Sequence, residues 1–167
     1  LELTRLDPDA AAKAVHQSTN NIKNWMTFNA QDTMPPAQWL LLNTYTLAVK
    51  DICWPGATAA YVRARFPNAF PEEIKQRRTV AIPDSPPPPQ VDDIIDMLHD
   101  AGATLEELTF APENMVNQWL GPDKRHMPYA VYELAVMTLW ARGTYTPTKE
   151  MTDYIHQKYN GVFNPGR

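Results

Sequence analysis

Cysteine is nearly missing from this sequence: Cys53 is the single one in 167 residues. One thiol excludes an intrachain disulfide framework and any zinc site built on paired cysteines. No apolar run approaches the roughly 18–20 residues that a bilayer-crossing helix needs, so no membrane partner is expected. The opening Leu1-Glu2-Leu3-Thr4-Arg5 lacks the basic-then-apolar order of a secretory signal, so secretion is not expected either. Glycine is scarce, at 6 residues, whereas proline is abundant, at 16. Such a chain is built from short elements joined by stiff corners.

The usual catalytic signatures are missing as well. There is no glycine-rich phosphate loop, no Gly-x-Ser-x-Gly elbow and no His-Glu-x-x-His. Of His16, His99, His126 and His156, no two sit three or four residues apart. Metal ligation would therefore require convergence from distant helices. Cys53 lies on an apolar stretch, where a free thiol usually fills core space. The pairs Asp92-Asp93 and Glu106-Glu107 are adjacent in sequence, and adjacent helical residues do not face one another. No catalytic residue, metal or cofactor is expected.

Charge is unevenly laid out. Residues 81–123 hold 9 acidic groups and no Lys or Arg, whereas residues 61–80 and 124–167 each carry a net +3. This pattern reads two ways. It is either complementarity within the chain or a solvated acidic face, or it marks a subunit whose acidic surface meets the basic face of a neighbour or whose basic segments hold an anionic polymer.

The elements read as helices throughout. Asp7-Pro8 is an N-cap followed by a first-turn proline, and Val15, Ile22, Trp25 and Met26 continue at helical spacing, predicting one helix over 8–28. Residues 37–54 predict a helix apolar nearly all round, hence central. Shorter helices are expected over 58–66, from Pro71, after Val91, from Thr104 and from Pro112 through Trp119. Residues 129–142 form the most apolar stretch, with Gly143 as its stop. Thr146-Pro147 opens a last helix. Pro83-Asp84-Ser85 and the four prolines 86–89 predict an extended surface linker. No stretch alternates with a period of two. The expected fold is one irregular all-α helical bundle over 1–167, with two small lobes around two central apolar helices and a possible lobe boundary at 83–89.

Two sets of residues stand out. Glu133 lies among residues that should be buried. A carboxylate there requires a cation or hydrogen-bond donors. It is either a structural ion pair, an exposed stripe, or a buried acid that organises a ligand groove. Arg63, Arg65, Arg77 and Arg78 have Tyr61, Phe66 and Phe70 close by, the mixture of cations and aromatic platforms found in single-stranded nucleic-acid sites. The same mixture occurs on ordinary solvated surfaces, and a pI near 5.5 is low for a polyanion binder.

Several short stretches, taken in order, resemble the coat proteins of flexible filamentous plant viruses. They are Ile52-Cys53-Trp54-Pro55-Gly56-Ala57-Thr58-Ala59-Ala60-Tyr61, Asp96-Met97-Leu98-His99-Asp100-Ala101-Gly102-Ala103-Thr104-Leu105, Phe110-Ala111-Pro112 with Trp119, and Tyr129-Ala130-Val131-Tyr132-Glu133-Leu134. Together they span roughly residues 50–135. Glu133 stands where that family has an aspartate, and Glu106 stands where it has the paired arginine, so that pairing does not carry over. The family's long N-terminal arm has no counterpart in this sequence. The resemblance implies an all-α subunit that polymerises helically with copies of itself and holds single-stranded RNA in a groove. It implies a location in a virion or the host cytoplasm, and it places Thr58 near the RNA. The expected nucleic-acid-binding residues are Thr58, Tyr61, Arg63, Arg65, Arg77 and Arg78. The alternatives are a protein-binding scaffold that uses the acidic segment or the proline run, and a small metal-dependent helical-bundle enzyme.

Overall fold

A computed structural model describes residues 7–26, 34–49, 56–74, 81–101, 107, 113–120 and 127–166. Among them are eight helices and no strand: α1 (Pro8–Val15), α2 (Thr19–Met26), α3 (Pro36–Val49), α4 (Gly56–Arg65), α5 (Val91–Ala101), α6 (Glu113–Leu120), α7 (Tyr129–Ala141) and α8 (Lys149–Lys158). The fold is all-α. No helix is long and apolar enough to cross a membrane among the described residues.

The centre is α3 against α7. Both are apolar on every face, and each buries nearly all its side chains. The threonine hydroxyls they carry inward are returned to the backbone. Thr44 and Thr46 donate to the carbonyls of Leu40 and Leu42, and Thr138 donates to that of Leu134 at 2.7 Å. These bonds allow hydroxyls to be buried without leaving a donor unmade. α1 and α4 pack on α3, and α5 packs on α7, with Ile94 and Leu98 of α5 buried. The buried cluster draws on both sides of the proline run, with Ile22 and Leu41 before it and Ile94 and Leu134 after it.

Several boundaries differ from expectation. The helix predicted over 8–28 is broken in two. His16 takes a left-handed conformation (φ 56°) and caps α1, and Ser18 accepts from the Asn21 N–H at 3.2 Å to open α2. The seven-residue spacing from Val15 to Ile22 survives the break because both side chains enter the same core, so the apolar pattern masks the corner. The helix predicted from Pro71 is absent over 71–74. That stretch is a bend, held where the Asn164 N–H donates to the Ala69 carbonyl at 2.9 Å and Ile74 is buried. The last helix starts at Lys149, with Thr148 as its cap, rather than at Thr146-Pro147. The end of the 37–54 helix, Cys53 and the Thr104 helix start lie outside the described residues.

α7 stops as predicted. Gly143 sits at φ 74°, its N–H bonds the Trp140 carbonyl, and the Thr144 N–H reaches back to Leu139. This is the double-bonded helix end that favours glycine because a Cβ would be strained there. The proline run 86–89 carries no helix. Pro86 and Pro87 are half-buried, and Pro88 and Pro89 are exposed. The Tyr129 hydroxyl, at the first residue of α7, donates to the Pro87 carbonyl at 2.7 Å and ties the run to the core.

Candidate functional site

Two charged regions are built around α7, one near its start and one at its end. The first is centred on Glu133. One turn into an all-apolar helix, its carboxylate is fully buried. Lys158 of α8, also fully buried, donates to Glu133 Oε2 at 2.6 Å. The Tyr159 hydroxyl donates to the same oxygen at 3.3 Å, and His16 Nε2 lies 3.4 Å from it. Lys158 also donates to the Ala14 carbonyl in the last turn of α1, where a cation is favoured by the exposed carbonyl dipoles. Burial opposes ionisation of Glu133, but Lys158 and His16 outweigh it and hold the carboxyl below its ordinary value. Burial and the nearby carboxylate together push the Tyr129, Tyr154 and Tyr159 hydroxyls well up, so they remain donors.

This cluster reaches the surface through His16. Its ring packs tilted against that of Tyr129 with centroids 4.5 Å apart, and its Nε2 lies 3.5 Å from the Tyr154 hydroxyl. His16 and Tyr154 line a groove of about 550 Å³ between α1 and the chain at Pro83–Pro86. Lys13 and Asp84, on opposite walls, form an ion pair at 2.7 Å. No group of three His, Cys, Asp or Glu among the described residues is placed to hold a metal ion.

The second region is on α4 and the end of α7. α4 contains no acidic residue and ends in Arg63 and Arg65. Tyr61 is 43% exposed and, with Met115, is a large apolar side chain left facing solvent among the described residues. Its ring lies 6.2 Å from that of half-buried Trp39. Arg63 is anchored by donating to the Pro71 carbonyl, and its guanidinium sits 6.0 Å from the centre of the Phe70 ring. Arg65 donates to the Glu107 carbonyl at 3.2 Å. Burial pushes the Arg65 guanidinium below its ordinary value; Tyr61 works in the opposite direction, and Arg142 adds to the lowering. The end of α4 is joined to the last turn of α7 through Phe163, whose ring lies 5.4 Å from that of Phe66 and 5.8 Å from that of Trp140, and exposed Arg142 is the C-terminal cap of α7.

The structure thus brings Tyr61, Arg63 and Arg65 onto one short helix, with Thr58 half-buried one turn before Tyr61. Arg77 and Arg78 lie outside the described residues. Sequence reasoning missed Arg142, Lys158 and His16. A basic residue directly before the stop glycine of α7 was a visible signal for Arg142. For Lys158 and His16 no local signal existed, because their roles depend on which helices meet. Comparison with family models, with curated proteins and with solved structures returned no match.

Proposed function

We propose that this chain is a non-enzymatic, self-assembling coat or nucleoprotein-like subunit that packages single-stranded RNA. The observation that carries this reading is the face of α4, where exposed Tyr61 is followed one turn later by Arg65 on a helix without an acidic residue. A guanidinium donates strong, charge-assisted hydrogen bonds to an anion. A phosphate backbone supplies that anion, and an aromatic ring beside it suits an unstacked base. Arg63 and Arg65 are already anchored to carbonyls, so less side-chain freedom is lost when they bind. A modest patch on each subunit suffices when contacts add along a polymer.

The resemblance to filamentous plant virus coat proteins supports the same reading. It leaves Glu133 in the place of a paired aspartate without its arginine, and here Lys158 provides a buried cation from another helix. In this picture the subunit occupies a virion or the host cytoplasm, with RNA and further copies of itself as partners.

The test is salt-dependent binding of a single-stranded RNA oligonucleotide, together with negative-stain microscopy in the presence and absence of RNA. Each phosphate neutralised adds roughly 0.7 to the slope of log affinity against log salt. Arg142→Gln should flatten the slope by about that amount with the fold intact. An equal slope removes Arg142 from the site. Failure of the wild-type chain to bind RNA in any state of assembly overturns the reading.

A further inference from the structure

Three elements wall in the Lys158–Glu133 pair, and they are held with unequal strength. α7 carries Glu133 and is buried on every face. α8 carries Lys158 and enters the core with Met151, Tyr154 and Ile155, and Tyr159 follows at its cap. α1 covers the pair through the Ala14 carbonyl and His16, and its buried side chains are Ala11, Ala12, Ala14 and Val15. Apolar adhesion grows with the area removed from water, so three alanines and a valine hold α1 less firmly than the large side chains hold α8. Two further ties of α1 are polar and exposed: Thr19 donates to Asp9 at 2.8 Å, and Lys13 pairs with Asp84. Left-handed His16 ends the helix beside the pair, so α1 can turn on that corner without breaking a continuous helix.

A proton on Glu133 removes the charge on which this closure depends. It can enter on Oε1, which has no hydrogen-bond partner among the described residues, and Oε2 is then a neutral acceptor. Lys158 stays fully buried, facing that oxygen and the Ala14 carbonyl. The rings of Tyr159 and Tyr154, at 5.2 and 5.8 Å, attract it more weakly than a counter-charge does. A buried cation without its anion is unfavourable until water reaches it. The ammonium does not escape by losing its proton in acid, because even fully buried lysines titrate at about pH 5–6 or higher. Water enters at the wall that is easiest to displace, which is α1.

We propose that α1 is an acid-operated gate: protonation of Glu133 releases α1 from α7 and α8 while the rest of the core stays folded. Opening takes away the wall of the 550 Å³ groove that carries Asp9, Ala12, Lys13 and His16, parts Lys13 from Asp84, and brings the Lys158 ammonium to solvent. The gate operates with or without RNA. The ionisable groups that face Glu133 are Lys158, Tyr154 and Tyr159 from the α8 side, His16 at the end of α1 and Tyr129 on α7 itself; Tyr45 of α3 meets the ring of Tyr159. Phenols do not change charge in acid, and the carboxylate is the group on which Lys158, His16 and Tyr159 all converge. Its folded value lies below the ordinary one, so the gate is shut at neutral pH and opens as pH falls through that folded value.

The test is hydrogen exchange of the full chain, read as protection factors residue by residue from pH 7 down to pH 3. Amides 12–15 of α1 should lose protection about tenfold or more in acid while those of α7 and α8 keep theirs. Glu133→Gln should show an open α1 already at pH 7, because it leaves Lys158 without a counter-charge at every pH. The double variant Glu133→Met, Lys158→Met should keep α1 shut throughout, because no buried charge remains to be hydrated. Unchanged protection of α1 in acid overturns the gate, and so does an equal loss in α1, α7 and α8, which makes the response global. An acid step that persists in the double variant also overturns it. A step that vanishes in His16→Gln, in a protein whose α1 is shut at pH 7, assigns the trigger to the imidazole and overturns the role of Glu133. Asp84→Asn removes the exposed pair alone; if it opens α1 at pH 7, the surface pair is the latch and the proposal falls. Should Glu133→Gln fail to fold, the wild type and the double variant still decide between these outcomes.

Discussion

The two charged regions of this molecule sit at opposite ends of one helix and differ in what surrounds them. Around Glu133 the chain provides its own counter-charge: Lys158, His16 and Tyr159 all converge on one carboxylate oxygen, and both Glu133 and Lys158 are sealed from water. Around Tyr61 an aromatic ring remains exposed on a helix that carries Arg63 and Arg65 and no acidic residue. The first arrangement joins α1, α7 and α8 and has nothing to offer a partner directly. The second leaves an aromatic and basic face at the surface, which suits a binding surface.

The comparison breaks most severely at Lys158. Lys158→Met should destabilise the fold by about 3–5 kcal/mol, because it leaves a buried carboxylate without its cation. The double variant Glu133→Met, Lys158→Met should recover a large part of that loss, since an apolar pair requires no desolvation of charge. Urea denaturation of the single and double variants at pH 7 measures both. A double variant no more stable than Lys158→Met would mean that the pair is not the source of the effect.

The same cluster should make stability sensitive to acid. The folded value of Glu133 lies below the ordinary 4.5. Its contribution is therefore complete above that pH and is lost as pH falls through the folded value. Between pH 5 and 3 the wild type should lose more stability than Glu133→Gln, which has no carboxylate to protonate at that position. Parallel losses in the two proteins would assign the acid response to other groups.

The tether between the proline run and α7 should have a smaller effect. Tyr129→Phe removes the bond to the Pro87 carbonyl and should cost about 0.5–1.5 kcal/mol. Hydrogen exchange of Ser85 and Gln90, on either side of the prolines, should quicken. Unchanged exchange would show that Ile82 and Asp84 hold the run without Tyr129.

The smallest expected change in stability is at the exposed region. Arg142→Gln should alter the melting free energy by no more than about 0.5 kcal/mol, as surface substitutions do. A loss comparable with that at Lys158 would erase the distinction between the two regions.

The sequence by itself determined the helical class and most of the helices. Apolar spacing depends only on local order, so α3 and α7 were legible as central from their all-round apolarity, and Gly143 was legible as a stop from backbone sterics alone. It also marked Glu133 as an acid in need of a partner, and Tyr61, Arg63 and Arg65 as a mixed aromatic and basic stretch. It could not choose the partner. Lys158 lies 25 residues beyond Glu133 on a helix that reads as polar, and its burial exists only because α8 lays that side chain between α1 and α7. The corner at His16 was hidden for a related reason: Val15 and Ile22 keep helical spacing across it, while the His16 and Gln17 N–H groups turn back to the Lys13 and Ala12 carbonyls and close the helix with a left-handed residue. The meeting of the ends of α4 and α7 is likewise a product of packing, made through Phe163 between Phe66 and Trp140. Local order governs backbone conformation, whereas the pairing of distant charges is set by which helices meet in the folded chain.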